Sequence, residues 1–165
     1  MILLGLGANL PSARHGKPQA TLAAALAALA AEGVAVERRS PWYRSAPVPA
    51  AENQPWYVNG VAEVKTALAP EALLALLHRV EQRFGRVRRQ RNEPRVLDLD
   101  LLDYDGLVQP GDGAVLPHPR LHERAFVLLP LRDVAPGWRH PSLGRGVDEL
   151  IAALPPGQRV ERLAE

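Results

Sequence analysis

The sequence contains no cysteine among its 165 residues. This absence excludes disulfide frameworks, thiolate zinc sites, iron–sulfur clusters and cysteine nucleophiles. Long apolar runs are also missing, and no stretch approaches the roughly 18 residues that a membrane span needs. The apolar segment at the start of the chain has no basic residues before it. We therefore interpret it as a strand rather than a signal peptide, and expect a cytoplasmic protein without a membrane partner.

Three common catalytic and nucleotide-binding signatures are missing as well. The chain has no G-x-x-x-x-G-K-[ST], which excludes a P-loop nucleotide site. Gly5 and Gly7 begin a G-x-G-x-x-G pattern, but Leu10 stands at its last position, so the segment is not a dinucleotide fingerprint. The absence of G-x-S-x-G excludes a nucleophile elbow.

Lysine is scarce, since 18 of the 20 basic residues are arginine. The formal net charge is only +2, but the basic residues are unevenly distributed. Seven arginines lie between positions 79 and 95, namely Arg79, Arg83, Arg86, Arg88, Arg89, Arg91 and Arg95. Arginine binds phosphate through two parallel hydrogen bonds and stays charged at any working pH. This segment therefore predicts a local anionic partner.

The apolar patterns predict one domain over residues 1–165 with alternating strands and helices. Strands are expected over 2–7, 34–45 with a break at Pro41, 56–66, 96–102 and 157–162. Helices are expected over 18–31, 70–85, 121–135 with an interruption at Pro130, and 147–153, and a turn over 103–106. Two strands between helices favour an α+β, ferredoxin-like split βαβ fold. This is a mostly antiparallel sheet with helices packed on it, plus a C-terminal extension.

Two aspartates interrupt the most apolar of these strands. Asp98 and Asp100 would point to one side of the strand, and leucines to the other. Their Cα atoms would lie about 6.5–7 Å apart, a distance at which two like charges repel by about 2 kcal/mol at an effective dielectric near 20. Magnesium would relieve this repulsion, because it binds one or two carboxylates together with water and substrate phosphate. An exposed Asp-x-Asp strand face without a metal is the alternative.

The arginine-rich segment leads directly into the aspartate strand. Arg86, Arg88, Arg91 and Arg95 all precede Asp98 by a few residues. Metal ions that clamp phosphates, and arginines that neutralise the transferring group, are the groups that phosphoryl transfer requires. Taken alone, the arginines would suit a solvated or nucleic-acid-binding loop. Together with the aspartates they favour phosphoryl transfer.

Aromatic residues make up only 5% of the chain, and two of them lie close to polar residues. Tyr57 and Asn59 share one face at the start of the third strand, and Phe126 follows Arg124. An aromatic pair with an amide could sandwich and recognise a flat heterocycle. Ordinary core or surface aromatics are the alternative. His118 lies between two prolines and could contact phosphate from that rigid loop.

Two other functions use the same residues. An RNA-binding sheet would bind phosphates with the arginine segment and stack bases on aromatics. The scarcity of aromatics and the aspartates beside the arginines speak against it. A magnesium-dependent phosphodiesterase would use the same aspartate pair and would hydrolyse its substrate without an acceptor.

Seven sequence blocks occur in a recognisable order and spacing. They are Gly7-Ala-Asn9, Tyr43-Arg-Ser-Ala-Pro47, Gln54-Pro-Trp-Tyr-Val-Asn59, the stretch from Glu81 to Arg88, Pro94-Arg-Val-Leu-Asp-Leu-Asp100, Leu116-Pro-His-Pro119 and Arg124-Ala-Phe-Val-Leu-Leu-Pro-Leu131. Together they resemble the 6-hydroxymethyl-7,8-dihydropterin pyrophosphokinase family of folate biosynthesis over most of the chain. The resemblance implies transfer of pyrophosphate from ATP to the pterin hydroxymethyl oxygen, which leaves AMP.

The resemblance also implies a role for each site residue. Asp98 and Asp100 are expected to hold two magnesium ions on the ATP phosphates. The implied catalytic residues are Arg86, Arg88 and Arg95. The implied ATP-binding residues are His78, Arg88, Arg91, Arg95, Leu101, His118 and Arg124, and the implied pterin-binding residues are Pro47, Val48, Tyr57, Asn59 and Phe126. The expected partners are therefore ATP and the pterin, without nucleic acid, and we expect a monomer.

Overall fold

The structure is a computed structural model that describes residues 1–9, 16–46, 56–85, 96–111 and 113–164. Six strands and four helices follow one another along these residues. In chain order they are β1 Ile2–Ala8, α1 Pro18–Ala31, β2 Ala35–Arg39, β3 Tyr43–Ser45, β4 Tyr57–Lys65, α2 Pro70–Arg83, β5 Asp98–Tyr104, α3 Ala125–Val134, α4 Val147–Ala152 and β6 Val160–Arg162. A short 3₁₀ turn, Leu121–Glu123, precedes α3.

The described strands form one sheet in the order β5-β1-β4-β3-β6, and β2 also pairs with β4. Every pairing within this part of the chain is antiparallel. Because β2 and β3 pair with different halves of β4, they are two parts of one strand that the segment around Pro41 divides. β4 therefore lies between β1 and this divided strand, which is the split βαβ arrangement predicted from the sequence.

Helices cover both faces of the sheet. Residues of α1 and α2 pack against alternate side chains of the strands in a first core. Residues of α3 and α4 pack against the opposite face in a second core. The predicted C-terminal extension therefore contributes a third layer, and the strands need apolar side chains on both faces. We call the α3 side of the sheet the second-core face.

The ends of the first two helices match their sequence signals. Each helix begins with a proline, Pro18 or Pro70, at its first position, where a missing N–H costs no hydrogen bond. Each is followed by a glycine with positive φ, +88° at Gly33 and +89° at Gly85. Glycine adopts this left-handed conformation without steric cost, which ends the helix.

The structure corrects the predicted limits of β5. The strand runs from Asp98 to Tyr104 rather than over 96–102, and its pairing with β1 is irregular between Leu3 and Leu4. Asp103, predicted to begin a turn, is only 3% exposed. Its carboxylate accepts a hydrogen bond from Trp138 Nε1 at 2.8 Å and another from the Gly106 N–H at 3.1 Å. The bond from Gly106 is the local contact of the predicted turn. The bond from Trp138 comes from tertiary structure, which the turn signal could not anticipate.

Two other predicted limits are wrong near the C-terminus. Helix α3 is shorter than the predicted 121–135, but it continues through Pro130, which is buried. Proline removes one N–H donor from the helix without ending it here. The last strand begins at Val160 rather than residue 157, because Gly157 adopts a φ of +89°. Within the described residues, no helix is both long enough and apolar enough to cross a bilayer.

Candidate active site

The aspartate pair lies on β5, at the edge of the described sheet. Asp98 and Asp100 are half-buried and alternate with the buried residues Leu99 and Leu101, which belong to the first core. Leu102 belongs to the second core. Because side chains alternate along a strand, both carboxylates point to the second-core face, on one side of the strand as predicted.

The neighbouring strand presents glycines beside the carboxylates. On β1, Gly7 pairs with Asp98, and Gly5 pairs with Asp100. Directly paired residues in an antiparallel sheet share a face. These two positions of the second-core face therefore carry no side chain of their own. The side chain of Leu102 lies against Gly5, and that of Asn59 lies against Gly7.

Asn59 lies on the other side of this glycine strand, since it pairs with Gly7 on β1. Its side chain is buried at 6% exposure, and its Oδ1 accepts a hydrogen bond from the Ser45 hydroxyl at 2.6 Å. A Cβ added at Gly7 would lie 3.1 Å from Asn59 Nδ2. The amide therefore has its oxygen held by Ser45 and its NH₂ group directed over the glycine strand.

Tyr57 is the second polar aromatic position on this face. It lies two residues before Asn59 on β4, so the two side chains point the same way. It is half-buried, and it pairs with Ser45 on β3. Tyr57 and Asn59 therefore share a face as the sequence predicted.

His118 lies beside the aspartates on the loop that precedes α3. Its backbone N–H donates to the Leu102 carbonyl at 2.9 Å, which fastens the loop to β5. Burial, and then the charge of Arg124, lower the pKa of His118 to about 4, whereas Asp98 opposes this shift. Its Nδ1 accepts the Arg120 N–H at 3.2 Å. The imidazole is therefore neutral at pH 7 and carries its proton on Nε2, as a hydrogen-bond donor.

Arg124 and Phe126 stand at the start of α3 on the same side of the sheet. The Arg124 guanidinium carbon lies 5.5 Å from the Phe126 ring centroid, a cation–π distance. Phe126 is partly buried and packs against the second core. The predicted residues Asp98, Asp100, Asn59, Tyr57, His118, Arg124 and Phe126 thus all lie on the second-core face or on the elements that cover it.

Two predicted ATP-binding residues are placed differently. His78 is exposed on α2, which packs on the opposite face of the sheet from the aspartates. The Leu101 side chain is only 5% exposed and belongs to the first core, so only its backbone can meet a ligand. The Leu99 N–H is directed outward from the sheet edge, to Glu81. Because backbone groups alternate in direction along a strand, those of Leu101 also lie on this outer edge.

Six predicted site residues lie outside the described residues, and the structure gives no account of them. They are Pro47, Val48, Arg86, Arg88, Arg91 and Arg95. The segments that contain them join β3 to β4 and α2 to β5 along the chain. The first therefore leads into Tyr57, and the second ends just before Asp98.

The sequence did not reveal the roles of Ser45 and Glu81. Ser45 orients Asn59 across two paired strands, and no local pattern marks such a contact. Glu81 is 1% exposed, and its carboxylate accepts the Leu99 N–H at 2.8 Å, which ties α2 to the aspartate strand. A signal for Glu81 did exist, since it falls four residues after Leu77 on the apolar stripe of α2.

The carboxylate pair suits magnesium better than a metal that needs a full set of protein ligands. Among the described residues, no three histidine, aspartate or glutamate side chains come together to hold a metal ion. Magnesium commonly binds one or two carboxylates and completes its shell with water and substrate phosphates. Asp98 and Asp100, beside the glycines of β1, offer that pair of carboxylates.

Comparisons with known proteins agree on one family. The profile described as 7,8-dihydro-6-hydroxymethylpterin-pyrophosphokinase matches residues 3–136. The chain is 43% identical over 162 residues to a 2-amino-4-hydroxy-6-hydroxymethyldihydropteridine pyrophosphokinase of Pseudomonas aeruginosa, covering 98% of this chain and 96% of that protein. It is 40% identical over 161 residues to a protein of the same name from Methylorubrum extorquens, with 96% and 97% covered.

Solved structures support the fold. A chain described as HPPK-DHPS in complex with substrates superposes with a TM-score of 0.70 at 13% identity and covers 92% of this chain. A Plasmodium falciparum HPPK-DHPS triple mutant gives a TM-score of 0.69, also at 13% identity and 92% coverage. The present chain spans only 42% and 44% of those longer chains. At this identity the likeness concerns the fold alone.

Proposed function

This chain belongs to the 7,8-dihydro-6-hydroxymethylpterin-pyrophosphokinase family, and we propose that it carries out the family's reaction on the second-core face of its sheet. The reaction transfers pyrophosphate from ATP to the hydroxymethyl group of 6-hydroxymethyl-7,8-dihydropterin, a step of folate biosynthesis that releases AMP. The chain is therefore an ATP-dependent pyrophosphokinase.

We place the reaction on this face because of one observation. The paired residues Asp98, Gly7 and Asn59 run across β5, β1 and β4 in a single row. Adjacent strands are about 4.8 Å apart, so the α-carbons of Asp98 and Asn59 stand roughly 10 Å from each other, with Gly7 between them. We place the triphosphate at the aspartate end of the row, the pterin at the Asn59 end, and the reacting oxygen and phosphorus over the glycines.

Asp98 and Asp100 would hold magnesium at the aspartate end, and two ions are part of the proposal. When bound, the metal neutralises phosphate charge and aligns the phosphates for attack. Arg86, Arg88 and Arg95 are proposed to neutralise the charge that spreads over the transferring group. Arginine suits this role because it stays charged and pairs with two phosphate oxygens at once.

The remaining nucleotide contacts are proposed from the loop before α3 and the edge of β5. The Nε2–H of His118 is a donor near Asp98, and the guanidinium of Arg124 is a second donor near His118. The backbone of Leu101 would contact the nucleotide from the outer edge of β5, and Arg91 from the arginine-rich segment. His78 would have to contact ATP around this same edge, since α2 lies on the other face.

At the other end of the row, the Asn59 amide would hydrogen-bond the pterin, and Tyr57 and Phe126 would stack on its ring. Backbone groups of Pro47 and Val48 complete the proposed pocket. Aromatic faces and a fixed amide suit a flat, polar heterocycle, because stacking supplies affinity and the amide discriminates orientation.

Positioning carries most of the proposed catalysis. With a pKa near 4, His118 is a weak base and is better suited to donate a hydrogen bond than to remove the alcohol proton. Phosphoryl transfer through a loose transition state needs little general-base assistance. The residues on this face therefore act by alignment and by charge stabilisation.

The decisive experiment measures AMP formation from ATP and magnesium, with and without hydroxymethyldihydropterin. We expect AMP only with the pterin, and we expect Asp98→Ala or Asp100→Ala to lower kcat by about a hundredfold or more with pterin affinity retained. Asp148→Ala is the matched control, because Asp148 is an exposed aspartate 76% accessible to solvent. Near-normal turnover in both site variants would refute the metal role, and AMP formation without pterin would indicate a phosphodiesterase.

The oligomeric state and the cellular location complete the proposal. We propose a monomer, as the resemblance to the family implies. Sedimentation of the purified enzyme tests this. We also propose the cytoplasm as its location, because its co-substrate ATP is available there, and cell fractionation tests that.

A further inference from the structure

The side chain of Gln158 connects the C-terminal segment to the start of α3. Its Oε1 accepts the Ala125 N–H at 2.8 Å, and its Nε2 donates to the Glu123 carbonyl at 2.9 Å. Nε2 also lies 3.4 Å from the Pro155 carbonyl oxygen. The two bonds to the start of α3 therefore hold the backbone of the residues directly before and after Arg124, and Phe126 follows the second of these residues.

The first of these bonds caps a helix. Ala125 is the first residue of α3, and the N–H groups of a first helical turn have no partner within the helix. Arg124, at the N-cap, cannot accept a hydrogen bond with its side chain because a guanidinium carries only donors. Gln158 therefore provides the acceptor from 33 residues away.

The residues that follow Gln158 are attached to the other side of the proposed pterin site. The Arg159 carbonyl accepts the Ala46 N–H at 3.1 Å, and Val160 pairs with Ser45, which pairs in turn with Tyr57. The Arg159 guanidinium also lies 5.0 Å from the ring centroid of Trp56. Residues 158–160 thus contact the backbone next to Phe126 at one end and the strand next to Tyr57 at the other.

The far end of α3 is fixed to the sheet by a separate contact. The Tyr43 hydroxyl donates to the carboxylate of Asp133 near the helix C-terminus. Burial and this hydrogen bond raise the pKa of Tyr43 to about 12, so the phenol remains a donor at every working pH. With this end held by β3, the position of Phe126 depends on how the N-terminal end is held.

We propose that Gln158 is a positioning residue that sets the distance between Phe126 and Tyr57, and so the fit of the pterin between them. The proposal rests on the proposed function, which assigns these two aromatics to the pterin. Gln158 lies beyond the family match, which ends at residue 136.

The test is a double-mutant cycle on pterin affinity. Fluorescence titration with hydroxymethylpterin, at saturating non-hydrolysable ATP analogue, gives the Kd of each folded variant. We expect Gln158→Ala to raise this Kd about five- to tenfold in the parent protein. In a protein that already carries Phe126→Ala, we expect Gln158→Ala to raise the Kd by less than about twofold. The reason is that the effects of residues acting through one another are not additive, whereas the effects of independent residues are. Gln82→Ala, at an exposed glutamine of α2, is the matched control and should leave the Kd unchanged.

The outcomes separate this proposal from the function on which it rests. If Phe126→Ala weakens pterin binding and Gln158→Ala does not, the positioning role is wrong and the pocket assignment stands. Equal effects of Gln158→Ala in both backgrounds would also overturn it, since a general loss of structure acts independently of Phe126. An unchanged Kd in Phe126→Ala would refute the pocket assignment and the positioning role together.

A second variant covers the case in which Gln158→Ala does not fold. Gln158→Glu keeps an oxygen that can accept the Ala125 N–H but loses the donor to the Glu123 carbonyl. A carboxylate near a helix N-terminus is also electrostatically tolerated. We expect a smaller rise in pterin Kd than for alanine, again suppressed by Phe126→Ala. No rise, or no suppression, would overturn the proposal.

Discussion

Replacing Gly7 by alanine tests the glycine strand between the two proposed substrate positions. The new Cβ would lie 3.1 Å from Asn59 Nδ2, so the amide must move by a few tenths of an ångström. That amide is buried and held by Ser45 at 2.6 Å. Disturbing one buried hydrogen bond costs about 1–2 kcal/mol, which corresponds to a roughly five- to thirtyfold higher Kd for the pterin.

Gly5→Ala is the matched control for this prediction. Gly5 lies on the same face of the same strand, but its added Cβ would meet Leu102 Cδ2 at 3.3 Å. Leu102 is a buried residue of the second core and is not assigned to the pterin, so we expect a pterin Kd within about twofold of the parent. Fluorescence titration measures both affinities, and circular dichroism verifies both folds. An unchanged Kd in Gly7→Ala, or equal losses in both variants, would refute the reasoning.

Three further predictions follow from contacts elsewhere in the structure. A Cβ on Gly60 would lie 2.5 Å from the Trp42 ring. Gly60→Ala should therefore lower the free energy of unfolding by about 1–3 kcal/mol and lower Tm by roughly 2–12 °C in calorimetry. An unchanged Tm would contradict this. Ser45→Ala removes the hydroxyl that donates to Asn59 Oδ1 and should raise the pterin Kd about fivefold. Ser45→Thr keeps a hydroxyl and should have a Kd close to that of the parent. Equal Kd values for the parent and both variants would argue against this role of Ser45. Burial lowers the pKa of His140 below 6.5. Just below that pH the unfolded chain therefore binds more protons than the folded chain, and the free energy of unfolding should fall as the pH decreases. Urea titrations at about pH 7.5 and about pH 5.5 measure this fall, and His140→Asn should reduce it; an equal fall in both proteins would show that another group is responsible.

The sequence alone was sufficient for the order of the elements and for placing Asp98 and Asp100 on one strand. Alternation of apolar residues, the prolines that begin α1 and α2, and the glycines that follow them act within a few residues, so the local chain encodes them. The same holds for the shared face of Asp98 and Asp100, which follows from the two-residue period of a strand. The split βαβ topology also followed, because few connections satisfy such an order of elements.

Only the tertiary structure decided which distant groups meet. The row that joins Asp98, Gly7 and Asn59 depends on the pairing register of three strands, and the bonds of Gln158 join residues more than 30 positions apart. Asp103 shows the same limit, because its local signal indicates the turn bond from Gly106 but not the bond from Trp138 that holds it at the buried end of β5. Such contacts depend on packing between segments that are remote in sequence, and short-range patterns carry no record of that packing.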